Sequence, residues 1–68
     1  MTIQWIRDSY SVPAKVRGRV EYTDRDKTYL GTITGTRGPH ILVRLDHAVV
    51  SRPFHPTWNI RYLDGATP

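Results

Sequence analysis

The chain has 68 residues, 38% of them hydrophobic and 24% charged, which is enough for one small domain. Two Trp, four Tyr and one Phe need a place to be buried, and this argues against a disordered tail. The absence of cysteine excludes disulfides, thiol catalysis and the common zinc knuckles. Because so short a chain rarely builds a deep pocket with several positioned catalytic groups, we expect a non-catalytic binding module and not an enzyme.

Residues 1–15 predict an irregular arm with at most one helical turn. Trp5, Ile6 and Tyr10 are its apolar anchors, and the charged or polar residues 7–9 separate them. Pro13 biases Val12 away from the helical region. We expect this arm to lie on the body of the domain, with Trp5 covering one end of the core.

From residue 16 onward, apolar and polar residues alternate with a period of two, which is typical of half-buried strands. The polar segments between them, together with Gly38 and Pro39, predict turns. The sequence therefore predicts strands at residues 16–22, 29–36, 40–45, 49–55 and 59–63, followed by a polar tail at 64–68. The expected core is Val16, Val20, Ile33, Ile41, Val43, Leu45, Trp58 and Ile60.

Glycine and proline add local detail to this pattern. Gly31 and Gly35 weaken the second strand, so they indicate strong bending or close backbone approach there. We expect Gly35 to tolerate substitution poorly, since it lies where this strand must bend. Pro53 has no N–H to donate to a neighbouring strand, which predicts that the fourth strand is at an edge or is bent.

Five short strands in about fifty residues favour a small closed antiparallel barrel, because closure removes exposed edges. The motifs G-R-V-x-Y at 18–22, G-T-I-x-G at 31–35 and V-R-L-D at 43–46 resemble the KOW-type and Tudor-type SH3-like barrels. The resemblance implies an all-β fold, a five-stranded antiparallel SH3-like barrel at residues 16–63 on which the arm packs.

A second resemblance covers nearly the whole chain. The motifs W-I-R-D-x-Y-x-V-P-A-K at 5–15 and H-P-T-W-x-x-x-Y-L at 55–63 are similar to those of small bacteriophage and prophage proteins. This implies a phage gene but no particular activity. The start of the chain lacks the apolar core of a signal peptide, and no apolar run approaches the ~20 residues that cross a bilayer. We therefore expect a cytoplasmic protein of the host cell with no membrane partner.

Catalytic and metal sites find little support in the residues. His40, His47 and His55 fall in different strands or turns without a close carboxylate cluster, so we expect no metal and no cofactor. No serine has the G-x-S-x-G context. Residues 18–35 are similar in layout to the first strands of plasmid-type trimethoprim-resistant dihydrofolate reductases. The V-Q-I-Y motif of those enzymes has no counterpart here, because S-R-P-F stands at 51–54, so we do not expect this activity.

The basic residues give the clearest functional indication. Ten Lys and Arg against six Asp and Glu give a net charge of +4, and the arginine fork donates two bonds to a phosphate. On the face of the first strand that carries Arg17 and Arg19, the expected acidic partner is Glu21. We predict sequence-independent binding to DNA or RNA, because no helix is available to read a major groove. The predicted contacts are Arg17, Arg19, Arg37, Arg44 and Arg52 to phosphates, and Tyr29 or His55 to an unpaired base.

The alternative is a protein-interaction or structural module, such as a virion accessory subunit or a modulator of a host complex. Its partner would be a host or phage protein, and its anchors would be Trp5, Tyr10 and Phe54. Exposed aromatic residues together with arginine are enriched at interface hot spots.

Overall fold

The computed structural model describes residues 2–63 as one helix followed by five strands. The predicted polar tail at residues 64–68 lies outside the described residues. The elements are α1 (Ile3–Tyr10), β1 (Arg19–Asp24), β2 (Lys27–Arg37), β3 (His40–Leu45), β4 (Arg52–Phe54) and β5 (Ile60–Tyr62).

All five strands belong to one antiparallel sheet in the order β4-β3-β2-β1-β5. The all-β prediction is confirmed, while the sheet is not closed: β4 and β5 are its two edges. Pro53 lies in β4, so the expected edge position of the fourth strand is also confirmed. The third strand has the predicted bounds, whereas β1, β4 and β5 are shorter than predicted.

The core follows the predicted alternation across the three central strands. Val20, Ile33, Ile41 and Val43 are buried, and Leu45 and Ile60 pack against them as partly buried side chains, so six expected core residues are confirmed. Two are wrong. Val16 is 49% exposed because it precedes β1, and Trp58 is 68% exposed because it lies in the turn before β5.

The prediction of an irregular arm is wrong for residues 3–10, which form a two-turn helix. The hydroxyl of Thr2 accepts a hydrogen bond from the Trp5 N–H at 3.1 Å and caps the helix start. Trp5 remains 38% exposed, so it does not cover the core, and its neighbour Ile6 is the fully buried residue. Ala14 is buried beside the same core. The helix therefore packs on the core through Ile6, one of the expected apolar anchors of the arm, with Ile3 and Tyr10 partly buried beside it.

As its two glycines predicted, β2 is bent, and atoms of β3 approach its backbone closely. The register against β3 shifts between Ile33 and Gly35, which marks a bulge. At Gly31 an added Cβ would lie 2.7 Å from Cγ1 of Val43 and 3.1 Å from the Arg44 carbonyl oxygen. At Gly35 the nearest atom to an added Cβ is 4.0 Å away. Within β2, Gly31 and not Gly35 is therefore the glycine that is less able to accept a side chain.

Replacing Gly31 with Ala is expected to lower the free energy of unfolding by about 1–3 kcal/mol, since the methyl group overpacks the contact with Val43. Gly35→Ala is the matched control and should change stability by less than about 0.5 kcal/mol. Urea denaturation of both variants measures the difference. Equal losses in the two variants would contradict the packing of β2 on β3.

The end of α1 offers a second stability test. Ser11 adopts a left-handed conformation, with φ 53° and ψ 47°, and the Val12 N–H donates to the Arg7 carbonyl at 3.2 Å. Glycine has no steric penalty in this region, so Ser11→Gly should stabilise the protein by about 0.5–1 kcal/mol. Ser9→Gly, two residues earlier in the last turn of the helix, should destabilise it by about 0.5 kcal/mol. Thermal unfolding followed by circular dichroism distinguishes the opposite signs.

Candidate functional site

The face of the sheet that points away from the core carries a row of polar side chains across three strands. Thr32 of β2 lies opposite Arg19 of β1 on one side and opposite Arg44 of β3 on the other. Since these positions alternate with the buried Val20, Ile33 and Val43, all three side chains share the outer face. The structure therefore brings Arg19 and Arg44 together on either side of one threonine.

Arg19 is held in a bidentate ion pair with Asp46. Its two terminal nitrogens donate to the two carboxylate oxygens at 2.8 and 2.7 Å, and Nη1 also donates to Oγ1 of Thr32 at 2.7 Å. These hydrogen bonds, aided by the nearby charge of Arg44, lower the pKa of Asp46. Glu21 was expected to be the acidic partner on this face, but it lies 4.0 Å from Arg61. The fork of Arg19 is thus already occupied by a carboxylate.

The Asp46 carboxylate should give the protein an acid-dependent contribution to stability. Because folding lowers the pKa of Asp46, the ion pair stabilises the fold above the usual aspartate pKa of about 3.9. That stabilisation is lost as the pH falls through the lowered value. We expect Asp46→Asn to be less stable than the wild type at pH 7, with the difference vanishing in strong acid.

Urea unfolding at a series of pH values measures this convergence. Asp26→Asn is the control, because Asp26 is an exposed carboxylate of the β1–β2 turn that has no ion pair within residues 2–63. If the free energies of unfolding of the wild type and Asp46→Asn differ by the same amount at all pH values, this role of the carboxylate is contradicted.

The other arginines that were predicted to contact phosphates are exposed, but they do not all lie next to one another. Arg37 ends β2 opposite His40, and Arg52 of the edge strand lies opposite the core residue Val43. Arg17 was expected in the first strand; instead it precedes β1 with φ 73°, and its N–H donates to the Ile33 carbonyl at 2.7 Å. Within residues 2–63, no carboxylate pairs with the side chains of Arg17, Arg37, Arg44 or Arg52.

The two predicted base-contacting rings lie in different aromatic clusters. Tyr29 is half-buried, with ring centroids 5.1 Å from His47 and 6.5 Å from Tyr22. Phe54 belongs to this same cluster, since its ring lies 4.8 Å from that of Tyr22. The rings of Tyr29 and Phe54 are therefore engaged mainly in packing on the inner side of the sheet.

His55 lies in a second cluster, at the end of the sheet that carries the β2–β3 turn. Its ring stacks on Trp58 with centroids 4.2 Å apart and planes 13° apart. Tyr10 and His40 approach it edge-on at 5.2 and 6.1 Å. Trp5 joins through Tyr10 at 6.1 Å. We call these five residues the ring cluster. It includes two of the anchors predicted for protein interaction, Trp5 and Tyr10, but not Phe54.

The histidines do not assemble into a metal centre among the residues that the structure describes. His40 and His55 are adjacent in the ring cluster, while His47 lies beside Tyr29. Between residues 2 and 63, no group of three or more His, Asp or Glu side chains is arranged to hold a metal ion. In the same range, no helix is long and apolar enough to cross a membrane.

No protein-family model matches this chain, and neither a curated protein nor a solved structure matches it.

Proposed function

We propose that this protein is a non-catalytic nucleic-acid-binding domain that contacts phosphates through the outer face of its sheet. The observation that supports this most directly is the register of β2 and β3. It places Arg37 and His40 at one end of the outer face and Arg44 towards the other, and none of the three forms an ion pair within residues 2–63. Binding by such a face is independent of sequence, because it reaches phosphates and not base edges.

The spacing along β3 suits an extended polyanion. His40 and Arg44 are four residues apart on one strand, which corresponds to about 13 Å at 3.3 Å per residue. One strand of B-DNA carries a phosphate about every 3.4 Å along the axis. Arg17 adds a further exposed cation next to Ile33 of β2. Arg19 belongs to this surface, but the carboxylate of Asp46 competes with phosphate for its guanidinium.

We further propose that the fold is an SH3-like barrel of KOW or Tudor type. Three features support it: the strand order β4-β3-β2-β1-β5, the long and bulged β2, and the tight turn at residues 55–58 that precedes β5. A phage origin, which the motifs at both ends of the chain imply, is part of the same proposal.

A protein-interaction module is the second candidate, and one observation favours it. Val49 and Val50, in the segment between β3 and β4, are 91% and 55% exposed. Two adjacent exposed aliphatic side chains are better suited to a protein surface than to phosphates. In this reading a host or phage protein covers them.

The triple variant Arg17→Ala, Arg37→Ala and Arg44→Ala tests the leading proposal. Each lost phosphate contact should lower the slope of log affinity against log salt by about 0.9 for duplex DNA and about 0.7 for single strands. The total change is therefore about two to three units, and it should be similar for unrelated sequences. Fluorescence anisotropy with labelled oligonucleotides at several salt concentrations measures it.

The matched control removes the same number of charges elsewhere, through Arg7→Ala, Arg25→Ala and Arg61→Ala. These residues lie in α1, in the β1–β2 turn and in β5 beside Glu21. If both triple variants lose the same slope, overall charge and not the outer face drives binding. A wild type without affinity for DNA or RNA at about 50 mM salt, where screening is weak, overturns the proposal in favour of the protein-interaction module.

A further inference from the structure

Trp58 is held outside the core by a turn that is fixed at several points. Its N–H donates to the His55 carbonyl at 3.2 Å, which closes the turn. Pro56 is fully buried, and its carbonyl accepts a hydrogen bond from the Tyr62 hydroxyl at 2.7 Å. Burial raises the pKa of Tyr62 to about 12, so this hydroxyl stays protonated and remains a donor at neutral pH. The Thr23 N–H donates to the Asn59 carbonyl at 3.0 Å and ties the turn to β1.

The ring beneath Trp58 is fixed as well. Nδ1 of His55 accepts a hydrogen bond from the Thr57 N–H at 3.1 Å, so the neutral imidazole carries its proton on Nε2. The imidazole covers one face of the indole at 4.2 Å. Within residues 2–63 no second aromatic ring contacts Trp58, whose surface is 68% exposed. The opposite face of the indole is therefore available to a flat ligand without rearrangement of the protein.

The surroundings of this indole favour a ligand that combines a flat ring with negative charge. The ring cluster contains two imidazoles and no carboxylate. His40 lies opposite Arg37, which has no acidic partner among the described residues, so a cation lies at the edge of the cluster. A nucleotide supplies both components, since its base stacks on an aromatic face and its phosphate binds arginine.

We propose that Trp58 is a base-stacking platform that makes the protein prefer single-stranded nucleic acid. The inference rests on the proposed nucleic-acid binding and deepens it. Within a duplex both faces of each base are covered by its neighbours, whereas an unpaired base is free to stack on a protein ring. The phosphate contacts of the outer face serve both forms, and the stack on Trp58 adds affinity for the single strand alone.

The test compares Trp58→Ala with Trp58→Phe, using a 12-nucleotide oligothymidylate, an RNA of the same length and a duplex. Loss of one stacked base should weaken single-strand binding by about 5- to 150-fold. Duplex affinity should stay within twofold, and Trp58→Phe should recover most of the loss because it keeps a ring. Val49→Ala is the control and should leave binding unchanged, because Val49 is exposed and lies outside the ring cluster. Melting temperatures near that of the wild type confirm folding, since Trp58 is exposed.

A direct readout uses Trp5→Phe, which leaves Trp58 as the remaining tryptophan of the two. Stacking of a base should quench its fluorescence with oligothymidylate but not with duplex. If Trp58→Ala binds both forms as well as the wild type, or loses both equally, the stacking inference fails while the phosphate-binding proposal stands. If the wild type binds neither form, both fail. Quenching by a proline-rich peptide but by no oligonucleotide would overturn the inference in favour of peptide recognition.

Discussion

The register of β2 between its two neighbours is the constraint on which the rest of this structure depends. β2 pairs with β1 through one edge and with β3 through the other, so its register decides which side chains of three strands are buried. A slip of one residue would exchange the two faces, exposing Ile33 and burying Thr32. Gly31 supports the observed register, because only a residue without Cβ lets Val43 pack against the strand at this distance. The arginines of the outer face thus owe their position to apolar packing on the other side of the same strands.

Much of this sheet could be predicted from the sequence, since alternation is a local signal. The third strand and most of the buried aliphatic residues follow from it, and the edge position of Pro53 follows from the missing N–H of proline. The helix α1 was missed, although a signal was present: Ile3, Ile6 and Tyr10 recur at helical spacing after Thr2, a good N-cap residue. The proline at position 13 and the polar residues between the anchors obscure that period in the sequence.

The features that could not be predicted depend on contacts between distant parts of the chain. Asp46 is 27 residues from Arg19 in sequence, and only the folded sheet brings the carboxylate to the outer face of β1. The exposure of Trp58 is of the same kind. A large aromatic residue is usually a good core candidate, but here Pro56 and Tyr62 fill and hold the turn, so the indole is left outside. No local pattern distinguishes these outcomes from their opposites.

The ion pair of Arg19 and Asp46 also changes how positive charge is distributed over the outer face. Asp46 pairs with Arg19 and also lies near the charge of Arg44, so the uncompensated charge of this surface shifts along β3 towards Arg37, opposite His40. That end of the sheet is also where the ring cluster lies, because His40 contacts His55. In the proposed binding mode, a polyanion on the outer face would therefore be drawn towards the exposed indole, and not towards the half-buried rings of Tyr22 and Tyr29. The distribution of charge and the position of the exposed ring favour the same end of the molecule, although one is set by a carboxylate after β3 and the other by a turn before β5.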